Sequence, residues 1–121
     1  NIPIGLGSDI SGGHIVSMAK VLTEAIGLSK MKWAEVDPNY APLTLSEAFY
    51  MATKGGGQFF GHVGSFEKGY ELDALIIDDT SLFDLNERSL EERLERWLYV
   101  GDDRHIIERY VAGRVVPSPK G

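Results

Sequence analysis

Residues 2–13 read IPIGLGSDISGG, a short apolar run followed by a serine, an aspartate and a glycine-rich turn. The apolar run over 2–7 predicts a buried strand, although Pro3 removes one backbone donor from its ladder. Beyond the glycines, apolar side chains recur at helical spacing, so we expect a helix over 15–28. Strand, glycine loop and helix make one βα unit, which predicts an α/β fold with a parallel sheet or barrel.

The composition of the chain excludes several classes of function. The 121 residues carry a formal net charge of −6, which argues against broad binding to nucleic acid or to an anionic membrane, because both require a surface rich in Lys and Arg. The chain has no cysteine, so a disulfide framework, a thiolate metal site and a cysteine nucleophile are excluded. This composition also fits a reducing cytosol. No apolar run approaches the roughly 20 residues of a membrane helix.

Two capping boxes predict helices further along the chain. Thr44 and Glu47 have the Ser/Thr-x-x-Glu spacing that satisfies the free backbone amides at a helix start. Ser89 and Glu92 repeat this spacing ahead of an apolar stripe, which predicts a helix over about 89–99.

Glycines and short apolar runs define the remaining predicted elements. The triplet Gly55-Gly56-Gly57 is expected to interrupt the helix that begins near Thr44, with Phe59 or Phe60 packed inward after it. The predicted strands are a strand over 65–69 that enters a turn, a buried strand at 74–77 and a hairpin over 106–116 that turns at Ala112-Gly113. A frayed tail is expected at 117–121.

Asp9 is the strongest candidate for chemistry, because it follows the predicted strand 2–7 and precedes a glycine-rich loop. In α/β barrels the catalytic groups come from the carboxyl ends of the strands. A carboxylate there can bind a metal, accept a proton from activated water, or do both. A turn or N-cap aspartate is the structural alternative. His14 lies on the same loop and is a weaker candidate for contact with a substrate, with a solvated histidine as its alternative.

Other motifs indicate structure more than chemistry. The chain contains no complete phosphate-binding glycine motif, no closely spaced histidine pair and no Gly-x-Ser-x-Gly elbow. His62 and His105 are therefore interpreted as surface or partly packed residues. Asp73, at the entrance of the predicted strand 74–77, is expected to bond to backbone or to an arginine. The acidic turn 102–104 is expected to be solvated, with Arg104 in an ion pair, and a cation site is the alternative.

Four blocks of sequence carry a resemblance to guanine deaminases of the amidohydrolase superfamily, specifically to their carboxyl-terminal part. The blocks, in chain order, are GLGSDISGG at 5–13, LSEAFYMATKGG at 45–56, GSFEKGYELDALII at 64–77 and YVGDDR at 99–104. The second and third are similar to sequences throughout the amidohydrolases, whereas the first and last indicate the guanine deaminase branch. The chain also opens without methionine inside a candidate strand, which fits a piece of a longer polypeptide or a processed N-terminus.

The resemblance implies an architecture in two parts. Residues 1–63 would form the end of a TIM-type barrel, with strand eight at 2–9 and its following helix at 14–29. Residues 64–121 would return to a small β-sandwich, with an intervening helix at about 89–99.

The resemblance also implies an activity, in which zinc-activated water attacks guanine to yield xanthine and ammonia. Asp9 would then bind the zinc ion and take the proton of the attacking water. The other zinc ligands, and the residues that contact guanine, are expected upstream of residue 1, so this chain alone is expected to be inactive. The implied enzyme is a cytoplasmic homodimer of purine metabolism that binds no nucleic acid or membrane. Another aminohydrolase of the superfamily, or a non-catalytic acidic assembly module, is the alternative.

Overall fold

The computed structural model describes residues 2–82 and 84–117. Within these residues the elements are α1 (Met18–Glu35), α2 (Leu45–Tyr50), β1 (Ala74–Ile77), α3 (Leu90–Val100), β2 (Ile106–Val111) and β3 (Arg114–Val115). A π-helical turn, Met51–Gly55, continues α2, and a 3₁₀ turn, Asp103–His105, precedes β2. The chain divides between Phe59 and Phe60 into two compact units. No helix in the described ranges is long and apolar enough to span a membrane.

The core of the first unit lies between α1 and α2. Leu22 and Ile26 of α1 and Ala48 of α2 are buried. The sequence predicted that α1 ends near Leu28, and this is wrong, because the helix continues to Glu35. A glycine in a helix costs only about 1 kcal/mol relative to alanine, and the residues after Gly27 include several good helix formers, so Gly27 does not end the helix.

The strand predicted over 2–7 is absent. Residues 2–9 have no regular secondary structure, and Ile2 and Ile4 are exposed. A strand requires a neighbouring strand to complete its backbone hydrogen bonds, and no described residue pairs with this segment as a strand. A backbone hydrogen bond from the Leu6 amide to the Met51 carbonyl, over 2.9 Å, joins this segment to the second helix.

The glycine triplet 55–57 lies at the end of the second helix, where a break was predicted. The backbone widens into the π-helical turn, the helical residues end at Gly57 and a turn follows at 58–60. Gly55 and Gly57 are buried. A Cβ atom at position 55 would lie 2.9 Å from the Tyr50 carbonyl oxygen, so glycine permits close packing here. Phe59 and Phe60 are 88% and 79% exposed, so the predicted inward packing is wrong.

The second unit contains a three-stranded antiparallel sheet in the order β1-β2-β3. The hairpin predicted over 106–116 is confirmed, with Val111 opposite Arg114 across a two-residue turn. Ala112 and Gly113 both have positive φ, 48° and 73°, the pattern of a type I′ turn. β1 is confirmed over 74–77, although it is only partly buried.

Residues 65–69, predicted as a strand that enters a turn, contain the turn without the strand. The Tyr70 amide donates to the Glu67 carbonyl over 3.1 Å, and Gly69 has a φ of 94°. That left-handed backbone favours glycine and breaks an extended strand. The last predicted segment, the frayed tail, lies outside the described residues beyond Pro117.

Both capping boxes are confirmed, and the one at Ser89 begins α3. The Glu92 carboxylate accepts a hydrogen bond from the Ser89 amide over 2.8 Å. Arg88 and Arg96 contact Asp84. Trp97 and Leu98 are buried on the predicted apolar stripe, whereas Leu90 is exposed.

Candidate functional site

Asp9 sits in a tight turn that follows segment 2–8, which has no regular secondary structure. Its carbonyl accepts hydrogen bonds from the Gly12 amide, over 2.9 Å, and from the Gly13 amide. Asp9 and Ser11 have φ values of 44° and 94°, in the left-handed region. Side chains other than glycine disfavour this backbone, and aspartate tolerates it better than most. The turn therefore holds Asp9 in a defined, strained conformation.

The Asp9 carboxylate folds over Gly12. A Cβ atom at position 12 would lie 2.5 Å from Asp9 Oδ2, so only glycine leaves room for the carboxylate in this position. Asp9 is exposed, and its carboxylate has no hydrogen bond or ion pair within residues 2–82 and 84–117. It is open to an added ligand or to a water molecule.

His14 does not join Asp9 in the structure. Its Nε2 lies 3.4 Å from Glu24 Oε1 on α1, and its side chain is 81% exposed. The sequence placed both residues on one loop, and the structure instead pairs His14 with the neighbouring helix. A role for His14 in substrate contact stays a prediction.

The described residues fit only part of a metal site. No group of three or more His, Asp or Glu side chains that could hold a metal occurs in the described ranges. Catalytic zinc uses about three protein ligands plus water. Asp9 alone could offer one carboxylate ligand, and the rest of the described chain does not complete such a coordination sphere.

A second polar cluster, in the other unit, surrounds a cavity of about 430 Å³. Its members around the 3₁₀ turn are Asp102, Arg104 and His105, with Ser81 on the preceding loop. The Arg104 guanidinium holds the pKa of the Asp102 carboxyl far below its ordinary value, mainly through hydrogen bonds over 2.5–3.1 Å. The ion pair predicted for Arg104 is confirmed.

Ser81, His105 and Asp102 come together in an order that resembles a nucleophilic triad. His105 Nε2 lies 3.2 Å from Ser81 Oγ, and the Asp102 backbone amide donates to His105 Nδ1 over 3.2 Å. His105 Nδ1 also lies 3.2 Å from the Asp102 carbonyl oxygen and 3.3 Å from Asp102 Oδ1, so donor and acceptor groups meet the same ring nitrogen and the geometry fits either tautomer. The sequence missed this cluster, because residues far apart in the chain form it, and we interpret it as a structural closure of the turn.

His62 is also structural. Its ring stacks on Tyr70 with centroids 5.3 Å apart and an angle of 24° between the planes. This fits the prediction of a surface or partly packed histidine.

Comparison with known proteins identifies the family. A sequence model described as the Amidohydrolase family matches residues 1–116. The chain belongs to the amidohydrolase family. The turn that holds Asp9 and the helices that follow it lie within this matched region.

Among curated proteins, this amidohydrolase chain is similar to guanine deaminases. It is 37% identical over 123 residues to the guanine deaminase of Dictyostelium discoideum, a match that covers 96% of this chain and 27% of that protein. It is 38% identical over 128 residues to the guanine deaminase of Homo sapiens, with 96% and 28% covered. The chain thus spans about a quarter of the length of the relatives that it matches.

A solved structure gives the same result. The guanine deaminase from C. acetobutylicum, crystallised with guanine bound in its active site, superposes with a TM-score of 0.87 and 55% sequence identity. This match covers 93% of the present chain and 26% of the other. The fold of this chain is therefore one that occurs within a guanine deaminase.

Proposed function

We propose that the natural polypeptide that contains this sequence is a metal-dependent guanine deaminase, which hydrolyses guanine to xanthine and ammonia. The observation that carries this proposal is the 55% identity and TM-score of 0.87 with a guanine deaminase that holds guanine in its active site. Similarity to guanine deaminases of two eukaryotes supports the same substrate.

In this proposal Asp9 is both a metal ligand and the acceptor of the proton from the attacking water. A bound divalent metal would lower the pKa of water toward neutrality, which makes hydroxide available for attack on the carbon that bears the amino group of guanine. The Asp9 carboxylate is exposed, has no competing partner among the described residues, and is held by its turn. It can therefore accept a proton without first breaking a hydrogen bond of its own.

Zinc is the metal that we propose, because it is redox-inert and activates water when one coordination position stays open. The remaining ligands are expected upstream of residue 1, since the described part of the chain holds no metal cluster. The residues of this chain alone would not assemble the metal site.

We further propose that residues 1–63 complete a barrel and that 64–121 return to a β-sandwich, with Asp9 at the end of strand eight. The family match over 1–116 and the antiparallel sheet of the second unit support this arrangement. A cytoplasmic homodimer is proposed by analogy with the family, and the absence of cysteine fits a reducing compartment.

A substrate panel tests the proposed function. The purified natural polypeptide, loaded with Zn²⁺, is incubated separately with guanine, adenine, an amino-pterin and an amino-triazine, and ammonia release is measured. We expect kcat/KM to be highest for guanine. Preference for another compound would assign a different aminohydrolase activity, and release from none of them would favour the non-catalytic assembly module.

A further inference from the structure

The segment that leads to Asp9 is fastened to the second helix through backbone atoms. The Leu6 amide donates to the Met51 carbonyl over 2.9 Å. Met51 begins the π-helical turn Met51–Gly55, so the acceptor lies where the helix is widened. Turns of this kind are rare and occur frequently at functional sites.

Next to this hydrogen bond, two glycines bring the two backbones into direct contact. A Cβ atom at Gly5 would lie 2.6 Å from Gly56 Cα and 3.2 Å from Gly56 N. A Cβ atom at Gly56 would lie 3.1 Å from the Met51 carbonyl oxygen, the acceptor of the Leu6 amide. The atoms in the way are backbone atoms, which cannot rotate aside as a side chain does.

The space around the backbone is larger at Gly7 than at Gly5. A Cβ atom at Gly7 would meet no atom of residues 2–82 or 84–117 within 4 Å. The requirement for glycine at position 5 is therefore local to the contact with Gly56 and is not a general property of the segment that leads to Asp9.

We propose that the Gly5–Gly56 contact and the Leu6–Met51 hydrogen bond form a backbone clamp that positions Asp9. Only Gly7 and Ser8 separate the clamp from Asp9, and the turn to Gly12 and Gly13 fastens Asp9 on its other side. This inference rests on the proposed function, in which the Asp9 carboxylate must meet the metal and the attacking water. A misplacement of about 1 Å can reduce a rate by about 100-fold. Gly5 and Gly56 are thus positioning residues.

The test compares Gly5→Ala with Gly7→Ala in the natural polypeptide loaded with Co²⁺, whose visible spectrum reports on the ligands of the metal. We expect Gly5→Ala to exchange its Leu6 amide hydrogen faster, to alter the cobalt spectrum and to lower kcat by roughly 10-fold to 100-fold. KM for guanine should change less, because the displaced group acts in the chemical step. Gly7→Ala, the matched control, should resemble the wild type in all of these measurements.

Three outcomes would overturn the clamp. In the first, Gly5→Ala and Gly7→Ala are equivalent in amide exchange, cobalt spectrum and kcat. In the second, Gly5→Ala lowers kcat while amide exchange and the cobalt spectrum are unchanged. In the third, Gly5→Ala speeds amide exchange and changes neither the cobalt spectrum nor kcat. If Gly5→Ala does not fold, Gly56→Ala takes its place, because its added methyl has more room.

The Asp9→Asn variant distinguishes failure of the clamp from failure of the proposed function. Wild-type turnover and cobalt spectrum in Asp9→Asn would refute the role of Asp9. An inactive Asp9→Asn variant together with a Gly5→Ala variant equal to Gly7→Ala would refute the clamp alone.

Discussion

The Asp73 carboxylate accepts a 2.8 Å hydrogen bond from the backbone amide of Ala112, 39 residues further along the chain. The neighbouring Gly113 amide donates to the Leu72 carbonyl over 2.9 Å. These two bonds join the start of β1 to the turn of the β2–β3 hairpin, so the side chain closes one end of the sheet. The sequence-based expectation that Asp73 bonds to backbone is confirmed.

Replacing Asp73 by alanine should therefore destabilise the second unit. Loss of the acceptor for the Ala112 amide should lower the free energy of unfolding by about 1 kcal/mol, the usual contribution of such a hydrogen bond. Asp73→Asn keeps an oxygen acceptor and is the matched control, with a smaller loss. Urea denaturation of the natural polypeptide measures both variants. Equal stability of Asp73→Ala and wild type would contradict a structural role.

A substitution at Ala112 should stabilise the hairpin turn. Ala112 has a φ of 48°, and asparagine is favoured over alanine at the first central position of a type I′ turn. We expect Ala112→Asn to raise the free energy of unfolding by roughly 0.5–1 kcal/mol. Thermal denaturation provides the measurement. Gly113→Ala, which places a methyl group at a φ of 73°, should shift the midpoint the other way.

The capping box of α3 should contribute measurably to stability. Ser89→Ala removes the hydroxyl that accepts the Glu92 amide over 3.3 Å, with an expected loss of about 1 kcal/mol. Ser89→Asp retains a cap acceptor and should lose much less. A chemical denaturation series on the two variants separates them, and an unaffected Ser89→Ala variant would argue against the cap.

Acid should weaken the pair between Asp79 and Arg93. Two hydrogen bonds, of 2.8 and 2.7 Å, join them, and these bonds lower the pKa of the Asp79 carboxyl below its ordinary value of 3.8. Because the folded-state pKa is the lower one, the stabilisation is present above the unfolded-state pKa and is lost as the pH falls through the folded-state pKa.

Asp79→Asn is consequently expected to be less stable than wild type at pH 7, and this difference should shrink as the pH falls below about 4. Unfolding midpoints measured from pH 7 downward test the expectation. Asp103→Asn, at an exposed carboxylate on the 3₁₀ turn, is the control and should show no comparable change. A stability difference for Asp79→Asn that is constant over this range would contradict the sign.

The elements that depend on local chemistry were predictable from the sequence. Both capping boxes and the Ala112-Gly113 hairpin are specified by neighbouring residues, and the structure confirms them. The sequence allowed the prediction that Asp73 has a hydrogen-bond partner, because a carboxylate at a strand entrance requires one. It did not allow the prediction that this partner is the Ala112 amide, since Ala112 approaches Asp73 only after the hairpin has formed.

The elements that depend on distant partners were predicted less well. Residues 2–7 are apolar enough for a strand, yet a strand also needs a neighbour, and none of the described residues provides one. The triplet at 55–57 was predicted as a break, and the helix does end there, at Gly57. The π-helical widening before it and the close backbone packing that favours glycine at position 55 were not predictable. Asp9 was identifiable as a candidate from its place before the glycines. Its fixed position comes from turn and backbone contacts that no spacing rule contains.

Asp9 is proposed as the catalytic carboxylate of a guanine deaminase, and guanine-dependent ammonia release by the Asp9→Asn variant tests this role most directly. The wild-type natural polypeptide is compared with its Asp9→Asn and Asp103→Asn variants, all loaded with Zn²⁺. Unfolding midpoints are measured first, to show that the three proteins are equally stable. We predict that Asp9→Asn loses at least about 100-fold in kcat, because an amide cannot accept the proton of the attacking water, while Asp103→Asn stays near wild type. An Asp9→Asn variant that releases ammonia at nearly the wild-type rate would contradict the proposed role.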